Sequence, residues 1–104
     1  LAEKKFLFVD ENGANARRYA RKLSSSLRRE GFRDFSICSL ALRDAFPQGA
    51  RDRLLNSDHV VALWPHLRKS YPEVFEASAN LIELNPSKGF FEERLKEAVR
   101  EKLR

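Results

Sequence analysis

The chain has 104 residues, a size at which one hydrophobic core forms and buries about two-thirds of the surface the unfolded chain exposes, so residues 1–104 are expected to make a single domain. One cysteine, Cys38, excludes an intramolecular disulfide scaffold. The longest apolar runs, Phe6 to Val9 and Val60 to Trp64, fall far short of the roughly 20 residues a membrane span needs, and no signal-peptide pattern opens the sequence, so a cytoplasmic protein with no membrane span is expected.

The net charge of +5 is uneven. Residues 1–53 carry twelve basic and seven acidic side chains, while residues 54–104 carry eight of each. A basic half-surface attracts phosphate, nucleic acid or acidic lipid, and a high content of both charge signs is also a way to solvate and stabilise a surface.

Lys5-Phe6-Leu7-Phe8-Val9 is apolar without alternation, the pattern of a strand buried on both faces of a parallel sheet. From Ala14 to Glu30 the residues Ala16, Tyr19, Ala20, Leu23 and Leu27 recur at helical spacing, and Gly31 follows as a stop. Phe35 to Leu40 alternates and reads as a strand near an edge. In Leu42 to Asn56, Pro47 and Gly49 interrupt the pattern, which predicts a loop or broken helix regular only over Ala50 to Leu55. His59 to Leu63 is a second buried strand, closed by Trp64-Pro65 and expected to be central. Leu67 to Ala77 is amphipathic but holds Pro72, which starts a helical turn or kinks the segment. Asn80 to Leu84 is a fourth strand and Asn85 to Gly89 a loop. The chain then enters a helix striped by Phe91, Leu95, Ala98, Val99 and Leu103, with Glu92 and Glu93 at the favourable end of its dipole.

Four strands alternating with four helical segments predict an α/β fold with a parallel sheet and helices on both faces. Ligands of such sheets bind beyond the carboxyl ends of the strands. Loops Asp10 to Asn15, Ser39 to Arg43, Trp64 to His66 and Asn85 to Gly89 should share that rim.

The order of elements, with Phe6-Leu7-Phe8-Val9 leading to an asparagine-bearing loop and a helix with early arginines, resembles the low-molecular-weight protein tyrosine phosphatases. Members of that family follow their first strand with a Cys-x5-Arg-Ser loop, end the second in Ser-Ala-Gly, and carry a late Asp-Pro loop. Here Ser39-Leu40-Ala41 resembles the Ser-Ala-Gly turn, Ser57 to His66 resembles the third strand and its exit, and Leu84-Asn85-Pro86 resembles the approach to Asp-Pro. The similarity runs the whole length through degenerate motifs. It implies a three-layer sandwich with a four-stranded parallel sheet in the order 2-1-3-4.

The chemistry of that family needs a thiolate after the first strand, an arginine clamping the phosphate and a protonated aspartate for the leaving group. Asp10 stands at the thiolate position, Ala16 where the spacing asks for the arginine, and Asn85 where the acid would be. A carboxylate repels an incoming phosphate and attacks phosphorus far less well than a thiolate, and an asparagine has no proton to give at neutral pH. The resemblance leaves Asn12, Gly13, Asn15, Arg17 and Arg18 as an anion-binding set and assigns no catalytic residue. Cys38, placed inside the second strand, is expected to be a small core hydrophobe.

Phe6 to Asn12 is also similar to the opening of a response-regulator receiver, in which an acidic pair after the first strand holds Mg²⁺; Asp10 and Glu11 would be that pair. Leu63 and Trp64 stand where a receiver needs its phosphate-accepting aspartate.

Plainer roles exist for each residue. Asp10, Glu11 and Asn12 suit the capping of loop and helix donors. Arg17, Arg18, Arg21, Lys22, Arg28 and Arg29 suit a solvated helix face, with nucleic-acid contact as the second reading. His59 and His66 lack metal-ligand spacing. The expectation is a catalytically inactive phosphatase-like domain, without cofactor or metal, that binds an anionic small molecule or a protein at the rim. The alternatives are a phosphohydrolase with an atypical site, tyrosine-phosphatase-like or metal-assisted through Asp10 and Glu11, and a degenerate receiver-like signalling domain.

Overall fold

The computed structural model describes residues 3–76, 78 and 80–104. In chain order the elements are β1 (Lys4–Asp10), α1 (Ala14–Arg29), β2 (Phe35–Ala41), α2 (Pro47–Leu55), β3 (His59–Ala62), α3 (Leu67–Ser70), α4 (Pro72–Phe75), β4 (Leu81–Glu83) and α5 (Phe91–Leu103). The four strands form one parallel sheet in the expected order β2-β1-β3-β4. The architecture is the expected α/β sandwich.

Side chains alternate across a strand, and β1 shows why it must lie in the centre. Phe6 and Phe8 join Ala16, Ala20, Leu23 and Leu27 of α1 and Phe91, Leu95 and Val99 of α5. Leu7 and Val9 point the other way, to Ala50 and Leu54 of α2 and to Leu67, Val74 and Phe75 of α3 and α4. β3 and the residue after it divide likewise, with Val61 and Leu63 on the first face and Val60 and Ala62 on the second. An unbroken apolar run is therefore needed in both strands. Burying each such side chain stabilises the fold by about 1.5–3 kcal/mol.

Ion pairs hold the seam between α1 and α5. Lys22 meets Glu92 at 2.9 Å, and Arg100 grips both oxygens of Glu30, just past the end of α1, at 2.9 Å each. This paired guanidinium holds the Glu30 carboxyl below its ordinary pKa.

Two expectations are corrected and one alternative is decided. Pro47 does not interrupt α2: it occupies the first turn, where its missing N–H is not needed, and the helix runs unbroken to Leu55. Of the two roles open to Pro72, starting a helical turn is the one observed: Leu67–Ser70 and Pro72–Phe75 are separate four-residue helices divided at Tyr71, because the residue before Pro72 is driven out of helical geometry (φ −131°, ψ 57°); Ala77 lies outside the described residues. Cys38 is exposed rather than packed in the core. It lies on the α2 face of edge strand β2, in a groove it shares with Arg53, Asn56 and Ser57 where α2 has ended.

Candidate anion-binding rim

All four strands are parallel, so their carboxyl ends share one edge of the sheet, and the four predicted loops meet there. Backbone bonds tie the segments that follow β2 and β3 to the end of β1 and the loop after it. The Leu42 N–H donates to the Asp10 carbonyl (3.0 Å), Arg43 N–H to the Glu11 carbonyl (2.8 Å) and Leu63 N–H to the Val9 carbonyl (3.0 Å).

Asp10 is 2% exposed, the one polar or charged residue among the described core positions. Its Oδ1 accepts the Glu11 N–H at 2.8 Å, while its Oδ2 is buried without a hydrogen-bond partner. The carboxylate thus sits at the base of the loop where the phosphatase resemblance would place a thiolate. Glu11 turns outward, with its carboxylate 3.8 Å from Arg43. The two acidic side chains are therefore unlike in setting, one enclosed and one in solvent beside a guanidinium.

Gly13 makes the turn into α1 with φ 83°, a left-handed conformation that strains any other residue. Asn12 Oδ1 accepts the Ala14 N–H at 3.0 Å, so this asparagine serves as a local brace. Among the described residues, no hydrogen bond engages the N–H groups of Asn15 and Ala16, the next two donors of the helix end. Asn15 Oδ1 accepts from Arg18 (3.1 Å), and the Arg18 guanidinium lies over the Tyr19 ring at 5.0 Å. Arg17 and Arg18 line the outer side of α1 with Ala14 and Arg21. The five anion-binding candidates are thus brought to one end of one helix, but the two arginines stand along its flank.

Asn85 folds back on its own loop. Its Oδ1 accepts the Ser87 N–H (3.0 Å) and hydroxyl (2.6 Å), a turn-forming role rather than one facing a substrate. Arg94 organises the same loop by donating to the carbonyls of Asn85 (2.9 Å), Lys88 (2.9 Å) and Gly89 (3.1 Å). Nothing in the residue pattern distinguishes Arg94 from a solvated helix residue, because its partners are main-chain atoms.

The rim also exposes aromatic side chains, Trp64 on a loop expected there and two phenylalanines that carried no expectation. Phe46, at the start of α2, is 86% exposed, Phe90, at the start of α5, 85%, and Trp64, after β3, 40%. Phe90 is in left-handed geometry (φ 58°), a strained place for a non-glycine residue. The adjacent Phe91 packs edge-on to Tyr19, with ring centres 5.3 Å apart. This pair links the start of α5 to the start of α1. The available signal was position alone, an aromatic immediately before a predicted helix.

No protein-family model matches the chain, and no curated protein matches it at a significant level.

Proposed function

We propose that the protein is a catalytically inactive phosphatase-like domain that binds an anionic ligand at the rim where α1 begins. The observation that carries this reading is the enclosed Asp10 carboxylate. It occupies the base of the loop with one oxygen on the Glu11 N–H and offers no thiolate there. The binding half of the reading is supported by the unengaged Asn15 and Ala16 N–H groups, by a first helical turn without acidic residues, and by Arg17 and Arg18 beside it.

Opposing terms keep this binding weak. A helix N-terminus contributes up to about 1 kcal/mol to an anion, and an arginine adds a charge-assisted hydrogen bond. Carboxylates within about 6 Å of a phosphate each cost on the order of 2–3 kcal/mol at an effective dielectric near 20.

Two measurements test the reading. Aryl phosphate hydrolysis with and without Mg²⁺ should show no turnover, and turnover that disappears in Asp10→Ala overturns the inactive assignment. Sulfate titration followed through the amide resonances of residues 11–17 should show millimolar binding, and no response overturns the anion site.

A further inference from the structure

The two longest described helices, α1 and α5, treat their charges in opposite ways. α5 interleaves four acidic and four basic residues, and Arg94, Lys96 and Arg100 all find carboxylate or carbonyl partners. α1 carries six basic residues and no acidic one. Arg28 is used structurally, donating to the Phe35 carbonyl at 3.0 Å and covering its ring, and Lys22 is paired with Glu92. Among the described residues, Arg17, Arg18, Arg21 and Arg29 form no ion pair.

That distribution is costly to the helix itself. Arg17 stands four residues from Arg21, and Arg18 four from Lys22, so like charges repel along the surface. Arg17 and Arg18 also lie at the positive end of the helix dipole. A face serving only solubility gains nothing from this, as α5 demonstrates.

Geometry gives the charges an order. With 100° between successive residues and the core stripe at Ala16, Ala20, Leu23 and Leu27, Arg17 and Arg21 fall on one flank of the exposed face and Arg18, Lys22 and Arg29 on the other. Between them run the small residues Ala14 and Ser25. The result is a groove of about 550 Å³ with two cationic walls and a small-residue floor. It extends for about 22 Å from residue 14 to residue 29 at 1.5 Å per residue.

We infer that this groove binds the sugar-phosphate backbone of single-stranded nucleic acid, with Phe90 at its rim end as a stacking surface for a base. Arginine forks match phosphate oxygens in pairs, and an extended cationic channel with an adjoining exposed aromatic is how strands are held without base pairing. Phe90 immediately precedes Phe91, whose ring meets Tyr19, and the Tyr19 ring lies beneath the Arg18 guanidinium of the groove wall. A membrane surface fits less well, because the apolar side of α1 is consumed by the core and has nothing to insert into lipid. The groove shares Arg17 and Arg18 with the rim reading, and Arg21 and Arg29, well down the helix from the Asp10 loop, are what set the two apart.

Fluorescence anisotropy with a labelled twelve-nucleotide single strand, across a salt series, tests it. Four arginines outside any ion pair predict a slope of log K against log salt of about −3, at roughly −0.7 per phosphate neutralised. Arg21→Glu/Arg29→Glu should weaken binding at least about tenfold and bring the slope to about −1.5. Ser25→Glu, which places a negative charge on the floor and leaves every cation intact, should weaken binding as well. Arg53→Glu/Lys69→Glu, on the opposite face of the sheet with the same change in net charge, should change binding less than about threefold. Phe90→Ala should weaken the single strand several-fold and leave duplex binding unchanged. Thermal melts of each variant separate loss of binding from loss of fold. The inference is overturned if the opposite-face variant weakens binding as much as Arg21→Glu/Arg29→Glu, or if the duplex binds as tightly as the strand. Competition by poly-glutamate or by anionic phosphatidylserine vesicles as effective as that by unlabelled strand also overturns it.

Discussion

Gly13, at the entrance to α1, lies so close to Ala41, at the end of β2, that a Cβ added to Gly13 would stand 2.7 Å from the Ala41 Cβ. The turn that carries the chain from β1 into α1 is thus pressed against the neighbouring strand while holding φ at 83°. Gly13→Ala should destabilise the protein by about 2–4 kcal/mol, combining the left-handed backbone cost with overpacking. Adding Ala41→Gly should recover the steric share and leave the backbone share. Urea denaturation of the single and double variants checks this, and equal stability of the two would show that the close approach is relieved elsewhere.

Asp10 buries an oxygen without a partner. Asp10→Ser keeps a short acceptor beside the Glu11 N–H and removes that oxygen, so it should stabilise the fold by about 1 kcal/mol. The same change removes a negative charge from the loop base and should tighten sulfate binding by about tenfold or more. A variant that binds sulfate no better than the parent shows that the loop is not an anion seat. Calorimetric melting with and without sulfate reads both effects.

His59 begins β3 at the end of the sheet opposite the rim, with its ring stacked on Phe6 at 5.2 Å between centroids and its Nδ1 buried without a partner. Burial, then the charges of Lys102 and Lys4, hold its pKa below the ordinary histidine value, against the opposing charge of Asp58. The folded state therefore binds the proton less readily than the unfolded chain does. Its contribution to stability is fully present above the unfolded pKa of about 6.5 and is lost as pH falls towards the lowered folded value. Melting temperature should drop over that interval in the parent and less in His59→Gln. An NMR titration placing the His59 ring at or above the ordinary value contradicts the account.

Phe90 combines 85% exposure with a left-handed backbone. A side chain retained for packing would not be left in that setting. Phe90→Gly releases a backbone strain of about 1–2 kcal/mol and adds about 1 kcal/mol of chain entropy cost, so stability should stay within about 1 kcal/mol of the parent. Chemical denaturation measures this. A loss of several kcal/mol would mean that the Phe90 ring is needed by the fold.

The core can be tested where its two faces part. Phe8 is fully buried on the α1 and α5 face, and Phe8→Ala should cost about 3–5 kcal/mol through lost transfer energy and a residual cavity. Equilibrium unfolding checks the value, and a cost near 1 kcal/mol would indicate that α1 and α5 can collapse onto the gap.

Apolar runs and helical spacing alone determined which segments are strands and helices, because those patterns record how many sides of an element face the core. Two strands without alternation must be central and an alternating strand can lie at an edge, while the full order β2-β1-β3-β4 is an implication of the phosphatase resemblance. The placement of the rim loops follows from the strands being parallel. What depended on contacts distant in sequence was decided only by the tertiary structure. Cys38 is exposed because α2 ends before covering it, and Asp10 is buried because β2 and β3 flank the end of β1. Pro47 starts a helix where local propensity allows either a start or a break, and the choice rests on Ala50 and Leu54 reaching the core. The basic face of α1 was visible as a composition, but its two walls and small-residue floor exist only once the core stripe fixes the rotation of the helix against the sheet.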